Sequence, residues 1–219
     1  MSRLYDSRLY DSRLNPTQDR RTFTLMEMAV EGEKITKNHG TVVGRIMEAM
    51  ALELEASPGF LKAAFFAGYL HDVGKNFIPL SLLVSPEKLN FQQRLLINEH
   101  SVIGHKETVK SLAHHQGQFS IYEQQMISAV ILTHHERWDG TGYPFKLKGG
   151  EIPLASRLCT YADVFEALVS PRSYKPQSSV EKALDIIQNS PGQFDEKFMD
   201  IFLKAIKNLK YPDCWCAKC

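Results

Sequence analysis

No stretch of this sequence approaches the roughly 18 consecutive apolar residues of a membrane-spanning helix. The N-terminus has no basic segment followed by an apolar one, so no secretory signal is read there. Neither charge is in excess: 26 basic and 25 acidic residues leave a net +1 over 219 residues. That balance excludes a broad basic surface for a nucleic-acid duplex, and any anionic ligand has to be met by a local cluster. Cysteine is scarce, and four residues make no disulfide framework in a chain of this length. Cys159 stands alone in an apolar pattern and reads as a small core residue. Cys214, Cys216 and Cys219 crowd the C-terminus as "CWCAKC", three thiols without a nearby histidine, and read as an exposed reduced tail. Together these features predict a cytoplasmic protein with no membrane partner.

Period-two alternation is missing as well, so no strand is predicted. Apolar residues recur at helical spacing from about residue 20 onward. Val43, Ile46, Met47, Met50 and Leu54 mark an amphipathic helix over 38–55. Ser57-Pro58 opens the next helix, which runs through "FLKAAFFAGYLHD". A loop, "IPLSLLVSPEKL", follows. Asn90 with Gln93 three residues on predicts a capping box for a helix reaching about residue 112. Further helices are predicted over 120–136, over 153–169, after Ser178 and after Asp195, with a glycine-rich loop at 137–152. The fold class is all-α, a bundle of roughly seven to nine helices. The first twenty residues repeat "SRLYD" in tandem and read as a leader, 211–219 as a tail, and 21–210 as a single domain.

What the sequence does have is histidine, eight in all, in a regular arrangement. The steps are 32 residues from His39 to His71, 28 from Asp72 to His100, 34 from His100 to His134 and 28 from His135 to Asp163. Each is about one helical hairpin, and an antiparallel bundle brings such positions to similar depth. Imidazoles and carboxylates facing inward from several helices are how bundles hold metal pairs. Five histidines with Asp72 and Asp163 overfill one ion and suit two, with Asp72 able to bridge. The mixed nitrogen and oxygen donors suit iron, manganese, cobalt or zinc better than magnesium or calcium. His134 and His135 are adjacent, so on a helix their side chains diverge by about 100°, one serving each ion or each approaching from a different side. Lys75, in "HDVGK", has two open readings: a contact to a phosphate or an attacking water, or a cation at a helix C-terminus. His105, His114 and His115 fall outside the arrangement and read as structural or exposed.

"HDVGK", "EHSVIGH" and "HHERWDGTGYP", followed by "IPLASRLCTYADVFEALVSPRSYK", resemble the HD-GYP family, a branch of the HD-domain metal-dependent phosphohydrolases. The likeness spans about residues 35–205. It implies a single HD-domain helical bundle with a dimetal site in its core. It also implies a cyclic di-GMP phosphodiesterase releasing linear pGpG and GMP, with a metal-activated water as nucleophile. The implied metal ligands are His39, His71, Asp72, His100, His134, His135 and Asp163, holding two divalent ions, iron or manganese. Asp72 and Lys75 are the implied catalytic pair. Lys75, Arg172 and Lys175 are the implied phosphate contacts. Tyr143 is expected to stack on a guanine, to hydrogen-bond through its hydroxyl, or to pack its loop. Trp138 is expected to pack, Arg137 to form a salt bridge, and Tyr174 to join the core.

The chain departs from the family pattern where Ile35 stands in place of a glutamate that supports a third metal, and neither Glu31 nor Glu33 has the matching phase. It departs again at Ser101, Lys146 and Ser173, which bear on substrate preference. An HD enzyme on another cyclic dinucleotide or nucleotide, and a metal-holding interaction module, are the alternatives. The partner expected is a cyclic dinucleotide, with a regulatory partner or a homodimer both open.

Overall fold

The computed structural model describes residues 24, 27, 28, 30, 38–85, 87–114, 117–170 and 177–209. The leader, Glu31, Glu33, Ile35, His115, Arg172, Ser173, Tyr174, Lys175 and the three C-terminal cysteines lie outside them. The described residues are all-helical, as the periodicity predicts, with eight helices of eight residues or more and one four-residue turn. None of these helices is long and apolar enough to cross a membrane.

Helix α1 (His39–Glu53) and α2 (Pro58–Leu70) form the first hairpin. Ser57 caps α2 by accepting the Phe60 N–H, with Pro58 in the first turn, where its missing N–H costs nothing. A 3-10 turn (Val73–Phe77) and the short α3 (Leu80–Leu83) follow, the latter inside what the sequence suggested was a plain loop. Asn90 and Gln93 do form a capping box, but the helix it opens stops early. In place of one helix to about 112 there are two, α4 (Phe91–Asn98) and α5 (His100–His114). Neither proline nor glycine marks that break. Helix α6 (Ile121–Thr133) ends before the His pair instead of carrying it, and α7 (Leu154–Val169) runs through the centre of the bundle. Ser179, one residue past the expected Ser178, caps α8 (Val180–Gln188). Asp195 caps a 3-10 turn that runs into α9 (Met199–Asn208).

The core is made of α1, α2, α6 and α7, through Val43, Ile46, Met47, Leu70, Ile127, Ile131, Leu158 and Phe165, all fully buried. Cys159 is buried among them, as expected, and burial pushes its thiol well above the ordinary range. Each hairpin returns the chain to one end of the bundle. The first residue of α1 is His39 and the residue after α2 is His71. Likewise α5 begins with His100 and α6 is followed by His134. The 3-10 turn after Asp72 lies directly against α5. A Cβ at Gly74 would sit 1.8 Å from the His100 carbonyl oxygen, so only glycine permits the approach that sets Asp72 beside His100.

Candidate metal centre

Four helix termini deliver the donors. His39 is the first residue of α1 and follows Asn38, which is in the left-handed region at φ 69°. His71 is the C-cap of α2, Asp72 precedes the 3-10 turn, His100 opens α5 and His134 is the C-cap of α6. Asp163 comes from within α7. His39, His71, His100 and His134 are all buried.

Asp72 lies at the centre. Its Oδ2 is 3.5 Å from His39 Nε2 and 3.4 Å from His71 Nε2. Its Oδ1 is 3.2 Å from His100 Nε2 and 3.7 Å from His134 Nε2. Asp163 Oδ1 closes the first side, 3.3 Å from His39 Nε2 and 3.8 Å from His71 Nε2. The donors thus fall into two groups that share Asp72: His39 with His71, and His100 with His134 and His135, each group with its donor atoms within 4.8 Å of one another. His134 and His135 belong to the same group, so of the two readings the adjacent pair offers, one ring for each ion is not the arrangement found. Both follow Thr133, the last residue of α6. Their ring centroids are 4.0 Å apart.

The hydrogen bonds fix which ring nitrogens are free. His71 Nδ1 donates to the Gly68 carbonyl at 2.6 Å, His100 Nδ1 to the Ile97 carbonyl at 2.7 Å, and His134 Nδ1 reaches the Val130 and Ile131 carbonyls at 3.1 Å. His39 Nδ1 pairs with the Glu166 carboxylate. In the neutral form that ligates metal, each ring holds its proton on Nδ1 and turns an Nε2 lone pair inward. Two such lone pairs face each other at 3.1 Å between His39 and His71, and at 3.4 Å between His100 and His134. Asp72 Oδ1 is fully buried with no hydrogen-bond partner. Inward lone pairs around an unpartnered carboxylate oxygen repel one another unless a cation lies between them, so the residues present fit a divalent metal.

In the metal-free site a proton on His39 takes the place of a cation. Burial disfavours charge on His39, but Asp163, Asp72 and Glu166 outweigh it and raise its pKa well above the ordinary imidazole value. Burial disfavours charge on Asp72 and Asp163 too. Lys75 and His71 beside Asp72, and His39 and His71 beside Asp163, hold both carboxyls well below the usual range. On the other side, burial lowers His134 to about 4 and pushes His135 well down, with neighbouring imidazoles adding to it. Both rings are neutral at pH 7, the form that ligates metal. Lys75 Nζ pairs with the Asp72 carboxylate, so its charge is turned toward the centre.

Two residues not singled out in the sequence support this cluster. Glu166, buried and three residues after Asp163 in "ADVFEALV", orients His39; a carboxylate inside an apolar helical stretch was the available signal. Glu136, at 1% exposure, accepts the Phe145 N–H at 2.7 Å and the Leu147 N–H at 3.0 Å. It thereby pins the loop after the His pair. A Cβ at Gly142 would stand 2.5 Å from the Arg137 nitrogen and from the His135 carbonyl oxygen, so that loop closes only with glycine there. Tyr143 then stacks on His135 at 4.6 Å between centroids. Lys146, one of the positions named above as a departure from the HD-GYP pattern, has φ 58°, the region glycine favours. Arg137 pairs with Asp139 at 3.1 Å, and Trp138 packs under the Arg157 guanidinium, as expected. His105 bonds Ser128 and His114 the Lys110 carbonyl, both away from the cluster.

The Glu136 carboxylate serves two amide donors at once, so Glu136→Gln places an amide N–H₂ against one of them. That substitution is expected to cost about 2–3 kcal/mol and to lower Tm by roughly 4–12 °C at this size. Differential scanning calorimetry measures it. An unchanged Tm would mean the loop holds without this carboxylate.

The profile of the HD domain matches residues 23–198. The chain belongs to the HD-domain family. Among its relatives, a cyclic di-GMP phosphodiesterase of Vibrio cholerae serotype O1 is 36% identical over 196 residues, covering 85% of this chain and 39% of that protein. A 3'3'-cGAMP-specific phosphodiesterase 1 from the same organism is 31% identical over 183 residues, covering 82% of this chain and 40% of that protein. The HD domain thus spans less than half the length of either relative. The crystal structure of the HD domain of the Listeria monocytogenes phosphodiesterase PgpH, in complex with cyclic-di-AMP, matches with a TM-score of 0.57 at 19% identity, covering 84% of this chain and 94% of that one. At that identity the match concerns the fold.

Proposed function

We propose that this HD domain is a metal-dependent cyclic di-GMP phosphodiesterase of the HD-GYP branch, releasing linear pGpG and then GMP. The observation that carries the reading is the buried Asp72 carboxylate, which turns one oxygen to each of two groups of histidines and whose Oδ1 has no hydrogen-bond partner. The names of the relatives add the substrate class, since both act on cyclic dinucleotides. In this reading two divalent ions are held, one by His39, His71, Asp72 and Asp163, the other by Asp72, His100, His134 and His135. Iron or manganese suits these donors. Bound there, such ions supply Lewis acidity and a water acidic enough to act as nucleophile near neutral pH.

The chain's own side chains divide the remaining work. Lys75, already turned toward Asp72, offsets charge growing on the phosphoryl oxygens. Arg172 and Lys175 are proposed to grip substrate phosphate, Arg through its planar fork. Burial pushes the Tyr143 phenol well up, and the Asp72 and Asp163 charges add to it, so Tyr143 stays a neutral O–H donor. One face of its ring is taken by His135, which leaves the hydroxyl and the other face for substrate. The work is proposed to be cytoplasmic, in line with the expectation from the sequence.

The test is a substrate panel. The protein, purified with ferrous iron or manganese under reducing conditions, is given cyclic di-GMP, cyclic GMP-AMP and linear pGpG, and products are followed by chromatography. Cyclic di-GMP is expected to yield pGpG first. Preference for the mixed dinucleotide would move the assignment to the other relative's substrate. Bound metal with no turnover of any of the three would leave a metal-holding interaction module.

A further inference from the structure

The Nδ1 acceptors of the four buried histidines are not alike, and the reason is local. His71, His100 and His134 each follow a helical turn, so a carbonyl three or four residues back lies within reach of Nδ1. His39 is the first residue of its helix, behind a left-handed Asn38. Its Nδ1 takes the Glu166 carboxylate from α7 instead. A neutral carbonyl orients a ring. A carboxylate also raises the basicity of the opposite nitrogen and adds a negative charge behind the metal.

The two sides therefore differ in charge. On the side of His39 and His71, Asp163 and Glu166 add to the shared Asp72, with Lys75 offsetting one charge. On the side of His100, His134 and His135 the shared Asp72 is the carboxylate of the donor group.

We propose that Glu166 is a positioning residue that makes the two metal positions unequal, so that the ion between His39, His71 and Asp163 is held more tightly than its neighbour. The proposal rests on the two-metal reading above. Glu166 touches neither substrate nor reacting atoms; it acts through His39. The centre consequently fills in order, and the weaker position empties first when metal is scarce.

Titration of the metal-free full chain with manganese alone, followed by the electron paramagnetic resonance signal of the free ion, tests this. Wild type is expected to show two classes of site at least tenfold apart. Glu166→Gln keeps the size and an acceptor oxygen but removes the charge. It is expected to weaken the tight class about 10- to 100-fold and to leave the weak class in place. His100→Ala is expected to do the reverse, losing the weak class and keeping the tight one. A purely structural role for Glu166 would affect both classes together, and that result overturns the proposal. Two equal sites in wild type, or loss of the tight class in His100→Ala, overturns it too while the two-metal reading stands. Fewer than two sites in wild type removes the two-metal reading and the proposal with it. Should Glu166→Gln fail to fold by circular dichroism, the wild-type and His100→Ala titrations still decide.

Discussion

Asp72→Ala is expected to lose both metal and turnover, with kcat/KM falling by ~10⁴ or more, about 5 kcal/mol of transition-state stabilisation. Both oxygens of this carboxylate are committed, Oδ2 toward His39 and His71 and Oδ1 toward His100 and His134. Among the described residues, no other side chain belongs to both groups of donors. Losing an outer partner of a metal ligand typically costs 10- to 100-fold in affinity, and losing the shared ligand is expected to cost more. Asp72→Asn separates charge from shape. Its amide keeps one acceptor oxygen and sets an N–H₂ against the other group of lone pairs, so one position is expected to empty while the other weakens. The fold is expected to survive both changes, because the α1, α2, α6 and α7 core packs without Asp72. Metal analysis beside the activity assay reads both effects. Full turnover in Asp72→Ala would contradict the role given to this residue.

Lys75→Met is expected to keep the metal and lose about 10²–10³ in kcat, the usual cost of removing one group that stabilises developing charge. Two readings of Lys75 are open from sequence. As a cation capping a helix C-terminus it would lie on backbone carbonyls. The structure pairs its ammonium with Asp72, a carboxylate of the centre. Methionine preserves the stem and its packing, so the change isolates the charge. A variant that loses metal along with activity would make Lys75 a residue that holds Asp72 in place, and unchanged kcat would leave it without a part in the chemistry.

Much of this arrangement is legible in the sequence, for a physical reason. Ligands at steps of one helical hairpin must return to the same end of an antiparallel bundle, so spacing alone groups His39, His71, His100 and His134. The all-helical class follows from periodicity. Other features depend on tertiary contacts that leave no local mark. The break between α4 and α5 falls at Glu99, without proline or glycine, and sets His100 at a helix start. The end of α6 at Thr133, just before His134 and His135, is a boundary that periodicity does not fix to a residue. Glu136 and Glu166 do not stand out, because an acid beside a His pair, or within a helix, ordinarily faces water. Their burial arises only once α7 and the 137–152 loop are folded onto the site. Gly74 and Gly142 are readable as turn formers, but the reason each must be glycine is a neighbouring backbone within 3 Å of where its Cβ would lie.

The proposed mechanism places two ions among the donor groups around Asp72, both needed for phosphodiester hydrolysis. Its most direct test is stepwise reconstitution: metal-free protein is given manganese in sub-stoichiometric steps, and pGpG release from cyclic di-GMP is measured at each. If both ions are required, turnover is expected to be absent in chelator, small up to one equivalent per chain, and to rise steeply as the second is added. Full activity at one equivalent, or any sustained turnover in chelator, would contradict it.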